Sequence, residues 1–62
     1  MTNTQIRQII RNAADERGVK YRITAAGEVH FYGLMPNSIV TGWYLVHDDA
    51  AKLAADIQSG KF

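Results

Sequence analysis

The residues whose type and spacing suit metal binding or proton transfer are His30, His47, Asp48 and Asp49. Zinc requires three or four converging ligands, with an open position where catalysis is intended. His47, Asp48 and Asp49 are consecutive and stand where an apolar run gives way to an Ala-rich one, a place where an aspartate serves as a helix cap. His30 would join them only if strand register set it opposite His47. No nucleophile sits beside a base, no Gly-rich phosphate loop is present, and a chain this short does not readily enclose a pocket. These observations lead us to expect no enzyme, no metal and no cofactor.

Two other sets of side chains suit recognition. Lys20, Arg22, His30 and Tyr32 fall on alternate positions of two short alternating segments, so a sheet would gather them on one face. Basic and aromatic groups on an open sheet are what phosphate contact and base stacking use. The second set is Leu34, Met35, Val40, Trp43, Tyr44 and Val46, in and before the most apolar run of the chain. Aromatic and Met side chains are enriched in interface cores, and Trp and Tyr are frequent hot spots.

The elements that must position these residues follow from periodicity. Ile6, Ile9, Ile10, Ala13 and Ala14 form one stripe of a helix over Thr4 to Arg17, with Thr2 and Gln5 as a capping box and Gly18 as the stop. Val19 to Thr24 alternates, with Val19, Tyr21 and Ile23 inward and Lys20, Arg22 and Thr24 outward. Ala25-Ala26-Gly27 makes a tight hairpin. Glu28 to Gly33 returns with Val29 and Phe31 inward and Glu28, His30 and Tyr32 outward. Leu34 to Ser38 reads as a loop with Pro36-Asn37 as its turn.

Ile39 to Val46 reads as the third strand, β-branched, aromatic and uncharged. Neither of its faces is polar. Register decides whether Trp43 or Tyr44 joins the outer face; size places Trp43 in the core with Ile39 and Leu45, and that choice leaves Val40, Tyr44 and Val46 on the opposite face in need of cover. Asp48 to Gln58 is a second helix, with Asp48 as N-cap and an apolar stripe of Ala50, Leu53, Ala54 and Ile57. Lys61 and Phe62 are left as a short tail. The expected fold is α+β: a single small domain over residues 1–62 in the order α-β-β-β-α. It holds a three-stranded antiparallel meander with both helices packed on one face, which leaves the third strand at an edge open to pairing.

Totals narrow the function further. Seven Lys+Arg against six Asp+Glu give a net charge of +1, too balanced to steer the chain strongly toward nucleic acid or an anionic membrane. There is no cysteine, so disulfides and thiolate metal sites are excluded. No apolar run is long enough to span a membrane, and the N-terminus lacks the pattern of a signal peptide, so a cytoplasmic location is expected. A domain this small is near the limit for folding alone, which makes self-association or a tight partner a natural support.

The α-β-β-β-α order resembles that of double-stranded-RNA-binding domains, which carry lysines at the start of the second helix. Asp48 and Asp49 stand there instead, so that phosphate-binding role does not carry over. Gly42-Trp43-Tyr44-Leu45-Val46 leading into an Ala-rich helix resembles the last strand and helix of integrase arm-type DNA-binding domains, without the arginines that those sheets insert into the groove. The residues therefore favour a small non-enzymatic protein-binding module that docks its sheet face or strand edge on a partner protein or on a second copy, as a homodimer. In kind it would be a phage or mobile-element inhibitor of a host defence complex, anti-CRISPR-like. The alternative is a small nucleic-acid-binding module that uses Lys20, Arg22, His30 and Tyr32.

Overall fold

In a computed structural model, which describes residues 1–35 and 37–62, helix α1 spans Asn3–Glu16. The expected capping box closes its start: the Thr2 hydroxyl accepts from the Gln5 N–H at 3.2 Å, and the Gln5 side chain accepts from the Thr2 N–H at 2.8 Å. Its end is closed by Gly18, whose φ of 68° is left-handed. The Gly18 N–H donates to the Asp15 carbonyl and the Val19 N–H to the Ala14 carbonyl, the paired bonds of a Schellman stop. That stop aims Val19 back toward the core.

Strands β1 (Lys20–Ile23) and β2 (Val29–Leu34) pair antiparallel, with Tyr21 opposite Phe31 and Ile23 opposite Val29. The hairpin between them is held by the Gly27 N–H donating to the Thr24 carbonyl, with Gly27 at φ 88°. This is the left-handed glycine that a three-residue loop demands. Beyond β2, the Met35 N–H donates to the Val40 carbonyl, and Asn37 takes a φ of 59°. Pro36, half of the expected turn, lies outside the described residues.

Strand β3 is shorter than the sequence suggests, running Thr41–His47. Ile39 and Val40 belong to the connection: the Val40 N–H donates to the Ser38 hydroxyl and the Val40 carbonyl is taken by Met35, so local bonds replace a ladder. The sheet order is β1-β2-β3, a meander. From Leu34↔Thr41 to His30↔Leu45 the pairing is regular, and then Val29 pairs with His47. Val46 is thus one residue extra on β3, a bulge at the point where the chain leaves the sheet.

Helix α2 (Ala50–Gln58) is capped by Asp49, whose carboxylate accepts from the Lys52 N–H at 3.2 Å. Asp48, expected in that role, is exposed and one residue too early to reach the first turn. The Ala50 N–H donates to the Gly27 carbonyl at 2.9 Å, which pins the start of α2 to the β1–β2 hairpin. A second Schellman stop, with Gly60 N–H to the Ile57 carbonyl and Lys61 N–H to the Asp56 carbonyl, closes α2.

The core lies between the helices and one face of the sheet. Ile10 and Ala14 of α1, Val29 and Phe31 of β2, and Ala50 and Leu53 of α2 are buried together, with Tyr21, Ile23, Tyr44 and Val46 packed against them. Ala13 and Ala54 are also buried, and their small size lets the two helices approach each other over the sheet. The α+β architecture, its element order and the placement of both helices on one face follow the sequence expectation. The tail departs from it, for the Phe62 ring stands edge-on to Phe31 at 6.3 Å and the Arg17 guanidinium lies 4.3 Å over it.

Candidate docking face

Because both helices lie on one side, the other side of the sheet has no cover among the described residues. Register decides which residues it shows. Lys20, Tyr32 and Trp43 form one row across the three strands, and Arg22, His30 and Leu45 form the next. All four residues of the basic and aromatic set, Lys20, Arg22, His30 and Tyr32, are therefore brought together on this outer face. Trp43 joins them, since Tyr32 meets its ring edge-on at 5.2 Å between centroids.

Trp43 is a correction to the expected core. It is 39% exposed, with Leu45 at 53% and Ile39 at 96%, whereas Tyr44 and Val46 pack on the buried cluster. The physical reason is register: Phe31 points inward, Tyr44 is its partner, and direct partners share a face. Tyr44 and Val46 are thereby removed from the candidate contact surface. Tyr44 also stands edge-on to Phe31 at 6.4 Å, an aromatic pair within the core.

The remaining members of the apolar set divide. Leu34, at 64% exposed, lies on the outer face at the end of β2, and Val40, at 59%, lies in the connection beside it. Met35 turns to the inner side and is half-buried. Its Sδ would lie 3.5 Å from a Cβ built on Gly42, so it covers the gap that the two facing glycines, Gly33 and Gly42, leave in the sheet. Leu45 is the residue that sequence reasoning missed. Its alternation with Trp43 and Thr41 was visible, but not which way that alternation faced.

Arg22 reaches further than its position suggests. Its guanidinium carbon stands 4.6 Å from the centroid of the Trp43 ring, although β1 and β3 are not neighbours. The side chain therefore crosses β2, its stem over apolar surface and its charged head over the indole. On the middle strand, His30 Nδ1 is buried and has no hydrogen-bond partner among the described residues.

The acid–base candidates do not assemble. His47 Nδ1 accepts from the Asp49 N–H at 2.9 Å and lies 3.3 Å from Asp48 Oδ1. A nitrogen that accepts a backbone proton carries none of its own, so the second contact is proximity rather than an ion pair. The Asp49 carboxylate is occupied in capping α2. Among the described residues no three His, Cys, Asp or Glu side chains converge on a point that could hold a metal. On the far side, an open cleft of about 340 Å³ lies between the helix N-termini and the hairpin, lined by Ile6, Arg7, Ile23 and Asp49 among others. It brings no catalytic pair together.

No helix among the described residues is long and apolar enough to cross a membrane. No protein-family model, curated protein or solved structure matches this chain.

Proposed function

We propose that this chain is a non-enzymatic protein-binding module that docks a partner through the uncovered face of its sheet. The observation that carries this reading is the side-by-side exposure of Tyr32, Leu34, Trp43 and Leu45 on a face that neither helix covers. Contiguous exposed apolar groups around an aromatic pair are the make-up of an interface core. In kind, the chain suits a phage or mobile-element product that acts in the host cytoplasm by occluding a defence complex, anti-CRISPR-like. What supports this finer reading is its small size, its lack of cysteine and its lack of a catalytic set.

Self-association has one geometry that suits it, pairing along β3. That edge carries no charge from Thr41 to Val46, whereas the β1 edge is short and carries Lys20 and Arg22. A nucleic-acid-binding reading is favoured by one observation, the gathering of Lys20, Arg22, His30 and Tyr32 on the same open face.

Site-specific photo-crosslinking separates these readings. A benzophenone side chain at position 45 should give a discrete protein adduct in bacterial lysate that survives nuclease, and the same group at Arg11 on α1 should give none. A nuclease-sensitive adduct favours the nucleic-acid reading, a self-adduct favours the homodimer, and equal labelling from both positions removes the sheet face from consideration.

A further inference from the structure

The net charge of +1 conceals a sorting of charge by face. The six acids lie in the helices and connections: Asp15 and Glu16 in α1, Glu28 in the hairpin, Asp48 and Asp49 before α2, and Asp56 within it. The three strands carry none. On the outer face β1 contributes Lys20 and Arg22, β2 contributes His30, Tyr32 and Leu34, and β3 contributes Thr41, Trp43 and Leu45. By strand position the face thus grades from cationic to apolar across two strand spacings, roughly 10 Å, with the Arg22 guanidinium reaching across it to Trp43. Among the described residues neither Lys20 nor Arg22 has a carboxylate partner.

Building on the protein-docking reading above, we propose that the partner presents an acidic amphipathic segment to this face. Its carboxylates lie over Lys20 and Arg22, and its apolar side chains lie over Leu45 and Leu34, beside the Arg22–Trp43 pair. Arg22 is prepared for this contact. Its guanidinium carbon lies 4.6 Å from the centroid of the indole, which favours keeping the head on this face, and among the described residues its N–H groups have no carboxylate partner, so they can make a two-pronged bond to one. A second copy is the poorer occupant in a face-to-face arrangement, because its strands bring no acid and only Glu28, at the hairpin end, stands against Lys20 and Arg22, so the cations would be desolvated with little compensation. A nucleic acid would match the charge. However, Arg22 covers one side of the Trp43 ring and Tyr32 meets it edge-on, so the indole is a poor free platform for a base.

The test is selection of the intact protein against a displayed library of random 16-residue peptides at physiological salt. Affinities are then read from the emission of Trp43, the single tryptophan of the chain. Enriched peptides should combine Asp or Glu with aromatic or aliphatic residues. They should bind the K20E/R22E variant roughly tenfold more weakly, as the loss of two ion pairs and the gain of two repulsions imply. Selection against that variant should return Lys- or Arg-bearing peptides instead. Enriched peptides that are neutral or basic, yet lose binding to L45D, overturn the acidic chemistry and leave the docking face standing. Peptides that bind L45D as tightly as the parent overturn both, as does a dT20 oligonucleotide that binds more tightly than the best peptide. L45D must first show the parent circular dichroism spectrum, and L45T replaces it if it does not.

Discussion

Gly33 and Gly42 face each other across β2 and β3 on the inner side of the sheet, and the structure predicts opposite responses to the same substitution. Neither has a positive φ, so alanine fits the backbone at both. At Gly33 an added Cβ would stand 2.7 Å from Val19 Cγ1, about 1 Å inside an ordinary carbon–carbon contact. Val19 is β-branched and fixed by the Schellman stop of α1, so it has little room to turn away. Overpacking of this kind costs about 1–3 kcal/mol, and the narrowing of the unfolded ensemble by alanine returns about 0.4–1 kcal/mol.

The net expectation for Gly33→Ala is a loss of about 1–2 kcal/mol, a large share of the ~3–9 kcal/mol that a domain this size has in total. In thermal melting that is a fall of roughly 4–8 °C for each kcal/mol. At Gly42 the added Cβ meets Met35 Sδ at 3.5 Å, an ordinary contact, so Gly42→Ala should be neutral or slightly stabilising. Removing the obstruction should rescue the first variant: V19A/G33A should be more stable than the sum of the single changes by about 1 kcal/mol, within the usual range for residues in contact. Urea titrations followed by circular dichroism measure the parent, V19A, G33A, G42A and V19A/G33A. Equal tolerance of alanine at the two glycines, or strict additivity in the double variant, would refute the packing described for Val19.

Two further outcomes follow from the ends of the elements. Asp49→Ala should destabilise by about 1 kcal/mol as the α2 cap is lost, while Asp48→Ala should change the melting midpoint little; the reverse order would show that the cap is misassigned. Phe62→Ala should destabilise by about 1 kcal/mol through loss of the edge-on contact with Phe31 and the stacking of Arg17, and an unchanged urea midpoint would show that the tail does not hold that position in solution.

The parts of this fold that were legible in the sequence are those where local chemistry is decisive. The α1 capping box, the Gly18 stop, the Gly27 hairpin and the inward sets Tyr21/Ile23 and Val29/Phe31 each rest on residues close together in the chain. The assignment of β3 failed where polarity gave no direction. Both of its faces are apolar, so parity had to come from its pairing with β2, and that depends on how the connection after Leu34 is folded. One residue more or less would have put Trp43 inside. Size alone suggested that the tryptophan belonged in the core, but its place opposite Tyr32 and under Arg22 settled otherwise. The candidate face was therefore half legible: its basic half lies on the strictly alternating strands, and its apolar half lies on the strand that does not alternate. The Ile39-Val40 pair reads as strand because β-branched residues are enriched there, while the Ser38 hydroxyl and the Met35 N–H bind Val40 into the connection.

The meander order bears on how the molecule reaches its folded state. Each strand pairs with its neighbour in the chain, so every closure spans a short stretch and no long search delays the sheet. Rapid assembly matters for this chain, because Thr41 to Val46 has no charge to repel a like segment from another molecule while it waits for β2. Local connectivity thus shortens the interval in which crowded nascent copies can entangle, a safeguard that lies in topology and not in any side chain.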